Sequence, residues 1–318
     1  MRCSDIVMSA MSYHPSHSKG RVARGYWDFV AGWQSEKGDL HHLGGQWYTL
    51  ELASRFRFRS VRRILKQGLP LAARRQRQDG GFQADYPAGS ACEVVLAYSR
   101  HGMLKELCGT LPHDPVPLIA SSRRALAVKT RREALGASRR DLATLADELV
   151  AGIVGRQRSD ASWDGLVLAT VGAVHDLLDC GLSPQEKRVR KACQWLCAQQ
   201  KPLDRTVFPR APRTRLDGML YADQVSEEVA WEKARHPEYR WRPSGKECLD
   251  ILPTYQTAAA LSALCRCGLV DAPEVRRGFE YLMHIRGPGG RNYTHFWCNC
   301  AVNRWLRAKL RPLPNGDA

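Results

Sequence analysis

The sequence predicts an all-α protein built from helical hairpins that repeat about every 42 residues. Three observations predict it. A Gln followed by a short Gly/Asp/aromatic turn recurs along the chain; the stretches flanking that turn alternate between one-sided and all-round apolar character; and the second stretch of a pair stops at Gly.

The first copy is degenerate and runs Tyr26 to Trp33, Gln34, Gly44-Gly45 and Trp47, then Tyr48 to Phe56. The second is the cleanest. Arg62 to Arg77 leads into Gln78-Asp79-Gly80-Gly81-Phe82 and then Ser90 to His101, ending at Gly102. Leu145 to Arg156 leads into Gln157, Asp160 and Trp163, then Asp164 to Cys180 and Gly181. A further copy runs Val189 to Ala198, Gln199-Gln200, a long insertion, and Thr254 to Cys267 with Gly268. The last is Val275 to Ile285, Gly287-Pro288-Gly289-Gly290 and Thr294 to Lys309. A Gly just past a helix supplies the left-handed residue that satisfies its last carbonyls.

Turn markers at 34, 78, 157, 199 and 286 are separated by 44, 79, 42 and 87 residues. Two intervals are near 42 and two near twice that, so the span holds six periods. Either two hairpins have lost the signature or insertions replace them near 103–144 and 201–250. The expected organisation is an N-terminal arm (1–25), one repeat-built domain (26–311) and a short tail (312–318).

The two helices of a hairpin differ in a way that assigns them to layers. Val189, Ala192, Cys193, Leu196 and Cys197 form a single stripe, with Arg190, Lys191 and Gln194 facing away, so that helix is an outer one. Leu166 to Ala169, Val171, Ala173, Val174, Leu177 and Leu178 cover a whole circumference, so that helix is an inner one. Such alternation fits a stacked solenoid or a closed double ring.

Composition narrows the function. The 318 residues are 44% hydrophobic and 25% charged, ordinary for a globular chain. Lys and Arg outnumber Asp and Glu by 48 to 32, a net +16 that attracts polyanions. No helix-turn-helix, RNP or paired zinc-finger spacing points to nucleic acid. Eleven cysteines, mostly within apolar helix-like runs, favour a reduced, cytoplasmic setting. No stretch approaches 18 apolar residues and Met1 to Met11 has no sustained apolar region, so neither a transmembrane segment nor secretion is expected.

The turn Gln78-Asp79-Gly80-Gly81-Phe82, echoed at Gln157 to Trp163 and Gln199 to Phe208, resembles the Q-x-x-D-G-G-F/W turn of the terpenoid cyclase and protein prenyltransferase superfamily. The resemblance spans roughly residues 26–309. It implies an α/α toroid, inner helices within a ring of outer ones around a ligand cavity. In physical terms Gly80 and Gly81 allow a left-handed backbone, Gln78 can bond orphaned groups at helix ends, and Phe82 or Trp163 covers the joint.

The branches of that superfamily carry different chemistry. Class II cyclases use a D-x-D-D acid, absent here; the nearest cluster, His175-Asp176 with Asp179, reads as the cap of a solvated helix end. Prenyltransferase catalytic subunits hold zinc through Asp, Cys and a distant His. Arg215 to Met219 and Pro253 to Thr257 resemble the stretches carrying these ligands, but Met219 stands for the Cys and Gln256 for the His. Toroids of polysaccharide lyases and epimerases would use Tyr255, His295 and Arg residues. Lanthionine cyclases would need a Cys-His pair and thioester toroids a Gly-Cys-Gly-Glu-Gln run, and the chain has neither.

The expected function is therefore to bind an isoprenoid or isoprenoid diphosphate in a central cavity. Asp164, His295 and Tyr255 are candidate catalytic groups, and Trp163, Gln256, Trp297 and Arg291 candidate substrate contacts. Cys92, Asp164, His295 and Cys298 lie at inner-helix openings and suit Zn, with Mg as the other candidate metal. The same residues also serve as helix caps and small fillers. The alternative function is a non-catalytic scaffold for a protein partner or a lipid, with the charged segment Asp204 to Glu247 as docking surface rather than flap.

Overall fold

A computed structural model describes residues 3–40, 46–200 and 252–284. Among these every regular element is a helix. In chain order they are α1 (Cys3–Tyr13), a 3-10 turn (His17–Lys19), α2 (Arg21–Trp33), α3 (Gln46–Ser54), α4 (Arg59–Arg75) and α5 (Pro87–Arg100). Then come α6 (Leu104–Thr110), α7 (Val116–Ser121), α8 (Ala125–Glu133), α9 (Arg139–Val154), α10 (Val167–Asp179) and α11 (Lys187–Ala198). The last two are α12 (Leu252–Arg266) and α13 (Pro273–His284). None of these helices is long and apolar enough to cross a membrane.

The described residues fall into two compact units. The first comprises 3–5, 15–40, 46–156 and 175–183, and the second 6–14, 157–174, 184–200 and 252–284.

Within the first unit the two expected helix types form two layers. Short α3 is buried at Trp47 and from Thr49 to Ser54, and α5 from Gly89 to Tyr98 except at Glu93. These helices pack on each other, and α8 packs on α5 in turn. The outer α2 and α4 pack together and bury one stripe each; in α4 it is Val61, Ile64, Leu65, Gly68, Leu71 and Ala72, with Arg62, Arg63 and Lys66 exposed. Residues 104–133, where the hairpin turn signature is missing, fold as α6, α7 and α8, and both α7 and α8 lie against α5. The third hairpin has kept its inner helix and split its outer one. Helix α9 opens with a capping box between Ser138 and Asp141.

In the second unit α11 buries Val189, Ala192, Cys193 and Leu196 and exposes Arg190, Lys191 and Gln194, the outer pattern read from the sequence. Residues 256–265 of α12 are buried without a break, the inner pattern, and α12 packs against α11 and α13.

The turn joining outer to inner helix is the same object three times, and its Gln is Gln76 rather than Gln78. Gln34, Gln76 and Gln157 each donate from Nε2 to the carbonyl four residues on, Gly38, Gly80 and Ala161, at 3.0, 3.2 and 3.1 Å. Each also donates to a carbonyl near the following outer helix: Ile64 at 3.0 Å, His113 at 2.8 Å and Arg188 at 3.3 Å. The amide thus fastens each turn to the next hairpin. Gln200 does the same to Glu274 at 2.8 Å. Residues 34, 76 and 157 are spaced by 42 and 81, one and nearly two periods. Asp79 and Asp160 accept from the amides two residues on, at 2.9 and 3.0 Å, and tighten the loops.

Gly38, Gly80 and Ala161 share a positive φ of 85°, 85° and 72°. At Gly38 a Cβ would lie 2.1 Å from the Gln67 carbonyl oxygen, so only glycine fits both the dihedral and the approach to α4. The stop glycines Gly102, Gly181 and Gly268 are left-handed as expected.

Candidate functional site

The inner layer of the first unit carries charge where the sequence predicts only apolar packing. Glu51 of α3 is 3% exposed. Its carboxylate accepts from Arg55 Nη2 and Nε at 2.8 and 3.2 Å and from Arg100 Nη1, at the end of α5, at 2.6 Å. Arg100 also reaches Ser54 Oγ at 3.3 Å and pairs at 3.7 Å with Glu133, the last residue of α8. One turn earlier on α8, buried Lys129 pairs with buried Asp179 at 3.1 Å. The belt so formed runs along the C-terminal ends of inner helices, where the macrodipole favours the Arg side chains.

Burial and charge together set the protonation states. Burial alone would raise the Glu51 carboxyl, but Arg55, Arg100 and Lys129 outweigh it and hold the group well below the usual carboxylate range. Glu93 of α5 has the opposite balance. Burial and the Glu51 anion push it up to about 8, against the pull of Arg55. At neutral pH Glu93 is therefore a carboxylic acid, and it stays half-buried on α5.

Around the start of α5 stand Tyr86, Cys92 and Arg124. The Arg124 guanidinium lies 5.1 Å from the centroid of the Tyr86 ring. Burial, then the Glu93 and other nearby anions, raise the Tyr86 phenol above its usual value. Burial pushes the Cys92 thiol up to about 12, although the Thr130 hydroxyl bonds to it. Arg124 is exposed, so an accessible cation lies over the Tyr86 phenol, and the neutral acid Glu93 acts on the same phenol from α5. Such a group can hold an anionic head and offer protons beside an apolar wall.

The residues proposed from sequence are distributed as follows. Cys92 belongs to the first unit, and Trp163, Asp164, Tyr255 and Gln256 to the second. Trp163 is buried, its amide donating to Thr170 Oγ1 at 3.0 Å, the counterpart of Phe82 donating to Ser90 Oγ at 3.0 Å. Both aromatics cover the joint of their turn. Asp164 is exposed with φ 57°, in the turn that leads to α10. Tyr255 lies on α12; beside it Gln256 is fully buried with neither amide atom hydrogen-bonded, and Thr257 Oγ1 is likewise unpartnered. Arg291, His295, Trp297, Cys298, Asp217 and Met219 lie outside the described residues. Among the described residues no three His, Cys, Asp or Glu side chains gather as metal ligands.

One reading is corrected. Asp179 does not cap a solvated helix end; it is 8% exposed and paired with Lys129. Sequence reasoning missed Glu51 and Lys129 altogether. The available signal was a single charge inside an otherwise apolar inner stretch, Glu51 within Trp47 to Ala53 and Lys129 within Ala125 to Thr130. Comparison with protein-family models, with curated proteins and with solved structures finds no match for the chain.

Proposed function

We propose that the chain is an α/α toroid of the terpenoid cyclase and prenyltransferase type that binds an isoprenoid diphosphate against its inner helices. One observation carries the reading. The apolar inner helix α5 holds the neutral acid Glu93 near enough to Tyr86 to raise its phenol, and exposed Arg124 lies over that ring. An apolar chain would lie along α3, α5 and α8, and Arg124 would engage the diphosphate. Because Glu93 keeps its proton at neutral pH, it adds no charge to repel that anion, and it could donate a proton in a cyclase or a transferase. The net charge of +16 favours arrival of an anionic ligand.

A second reading rests on the belt itself. Glu51 with Arg55 and Arg100, and Lys129 with Asp179, already tie the inner helices together, which suits a scaffold whose charges serve only cohesion. Thermal shift on adding farnesyl diphosphate, farnesol or inorganic diphosphate separates the two. Binding to the folded state raises the melting temperature by mass action. The proposed site predicts the largest rise with farnesyl diphosphate, because only it has both tail and head; no rise with any of the three supports the scaffold.

A further inference from the structure

Helix α4 of the outer layer carries a run of cations with no anions set against most of them among the described residues. Its 17 residues include five Arg, one Lys and no acid. Arg59, Arg62, Arg63, Lys66 and Arg74 are exposed and fall within about 120° of the helix surface, a straight stripe about 22 Å long. Among the described residues the side chains of Arg59, Arg62, Arg63 and Lys66 make no ion pair and no hydrogen bond. Only the last turn is engaged, with Arg74 donating to the Lys37 carbonyl oxygen at 2.6 Å and Arg75 lying 3.8 Å from Asp39.

This arrangement works against the fold. Arg59 and Arg63, and Arg62 and Lys66, are like charges one turn apart and repel. Arg59, Arg62 and Arg63 also crowd the positive end of the helix macrodipole, where acids are favoured. An Arg-rich composition does not by itself produce such a face. Helix α9 mixes Arg139 and Arg140 with Asp141, Asp147 and Glu148, and α13 pairs Arg277 with Glu274 at 3.2 Å. Charge that costs stability and stays unneutralised within the described chain suits an anion from outside.

We propose that the exposed face of α4 docks the protein on the surface of an anionic lipid bilayer, with Arg59, Arg62, Arg63, Lys66 and Arg74 among the headgroup phosphates. A straight helix lying flat brings all five to one plane, and each cation near such a surface adds to the attraction. Exposed Pro70 lies within the stripe and half-buried Leu69 at its edge, so the face also offers shallow apolar contact, to which the long Arg and Lys stems contribute. Nucleic acid fits less well. Helix α4 is packed along its inner stripe from Val61 to Ala72, which leaves too little of it free to enter a major groove. The exposed stripe has no aromatic side chain on which a base could stack. The face belongs to the outer layer and does not depend on what the inner layer binds.

The test is co-sedimentation of the full-length protein with vesicles of phosphatidylcholine, alone or with about one-third phosphatidylglycerol. The protein should pellet with the anionic vesicles and not the neutral ones, and about 0.5 M salt should release it by screening. The combined variant Arg59→Gln, Arg62→Gln, Arg63→Gln, Lys66→Gln should lose affinity on the order of a hundredfold. Its urea midpoint should be unchanged or higher, because repulsion within the helix is relieved. Removing four cations from α11 instead, by Lys187→Gln, Arg188→Gln, Arg190→Gln and Lys191→Gln, should cost far less. The proposal is overturned if wild type ignores the anionic vesicles at low salt, or if both combined variants lose affinity equally, which traces the attraction to the net charge of +16. It is overturned equally if duplex DNA or single-stranded RNA stays bound at a salt concentration that releases the vesicles. Arg62→Glu alone should weaken vesicle association about tenfold, and no loss from it would count against the face even where the combined variant fails to fold.

Discussion

Replacing Glu93 with Gln should make the protein more stable at alkaline pH, the reverse of what loss of a buried polar group ordinarily does. Its carboxyl has a folded-state value near 8 against an ordinary 4.5. Between those values the folded chain keeps a proton that the unfolded chain releases, so raising the pH favours unfolding. Each unit of difference corresponds to about 1.4 kcal/mol, giving a ceiling of about 4–5 kcal/mol above pH 8. Half-burial leaves the group in touch with water, and screening reduces the expected effect to about 2 kcal/mol. Gln has nearly the shape of a protonated Glu and no proton to lose. Urea unfolding at pH 5 and pH 8.5 is the assay. Glu93→Gln should match wild type at the lower pH, where the acid is neutral, and exceed it by about 2 kcal/mol at the higher. Equal changes in stability with pH for both proteins would refute the assigned protonation state.

Further outcomes follow from the same geometry. Glu51→Gln leaves part-buried Arg55 and Arg100 without their shared anion and should cost about 2 kcal/mol of stability by urea unfolding at pH 7, since the pair is broken from its buried side. Gln157→Ala removes one hydrogen bond within its turn and one that fastens the turn to α11 and should cost about 1–2 kcal/mol; a change below the error of the measurement would show the clamp to be incidental. Ala161→Gly and Gly80→Ala should act with opposite signs in a thermal melt. The first relieves a left-handed alanine and gains up to about 1 kcal/mol, and the second forces a methyl to 2.9 Å from the Asp114 carbonyl oxygen and loses at least about 1.

The layering was legible because burial writes a period into the sequence. The single stripe of α11 is observed residue for residue at Val189, Ala192, Cys193 and Leu196; the α10 stretch is buried at Leu166 to Ala169, Val171, Ala173, Val174, Leu177 and Leu178 as read, but Gly172 and Asp176 are exposed, so it is not covered on every side. The turn was legible as a class, but its register was not. Gln76 and Gln78 flank the same Arg, and only the distances to Gly80 and His113 show which amide is the clamp. For 103–144 the sequence left a hairpin without its signature and an insertion as alternatives, because the segment before α8 is broken into α6 and α7, so neither stripe nor Gln marks it. The charged belt was hidden for another reason. Glu51 and Arg100 are 49 residues apart, and Lys129 and Asp179 are 50 apart, so their pairing is a product of packing with no local pattern to announce it.

Calorimetric titration with geranylgeranyl diphosphate tests the central claim most directly, run on wild type and on Arg124→Gln at neutral pH. The account predicts saturable binding at one site, with roughly a tenfold loss of affinity when the exposed guanidinium is removed. Absence of saturable heat at millimolar ligand, or equal affinity for both proteins, would contradict a diphosphate anchored beside Tyr86 and Glu93.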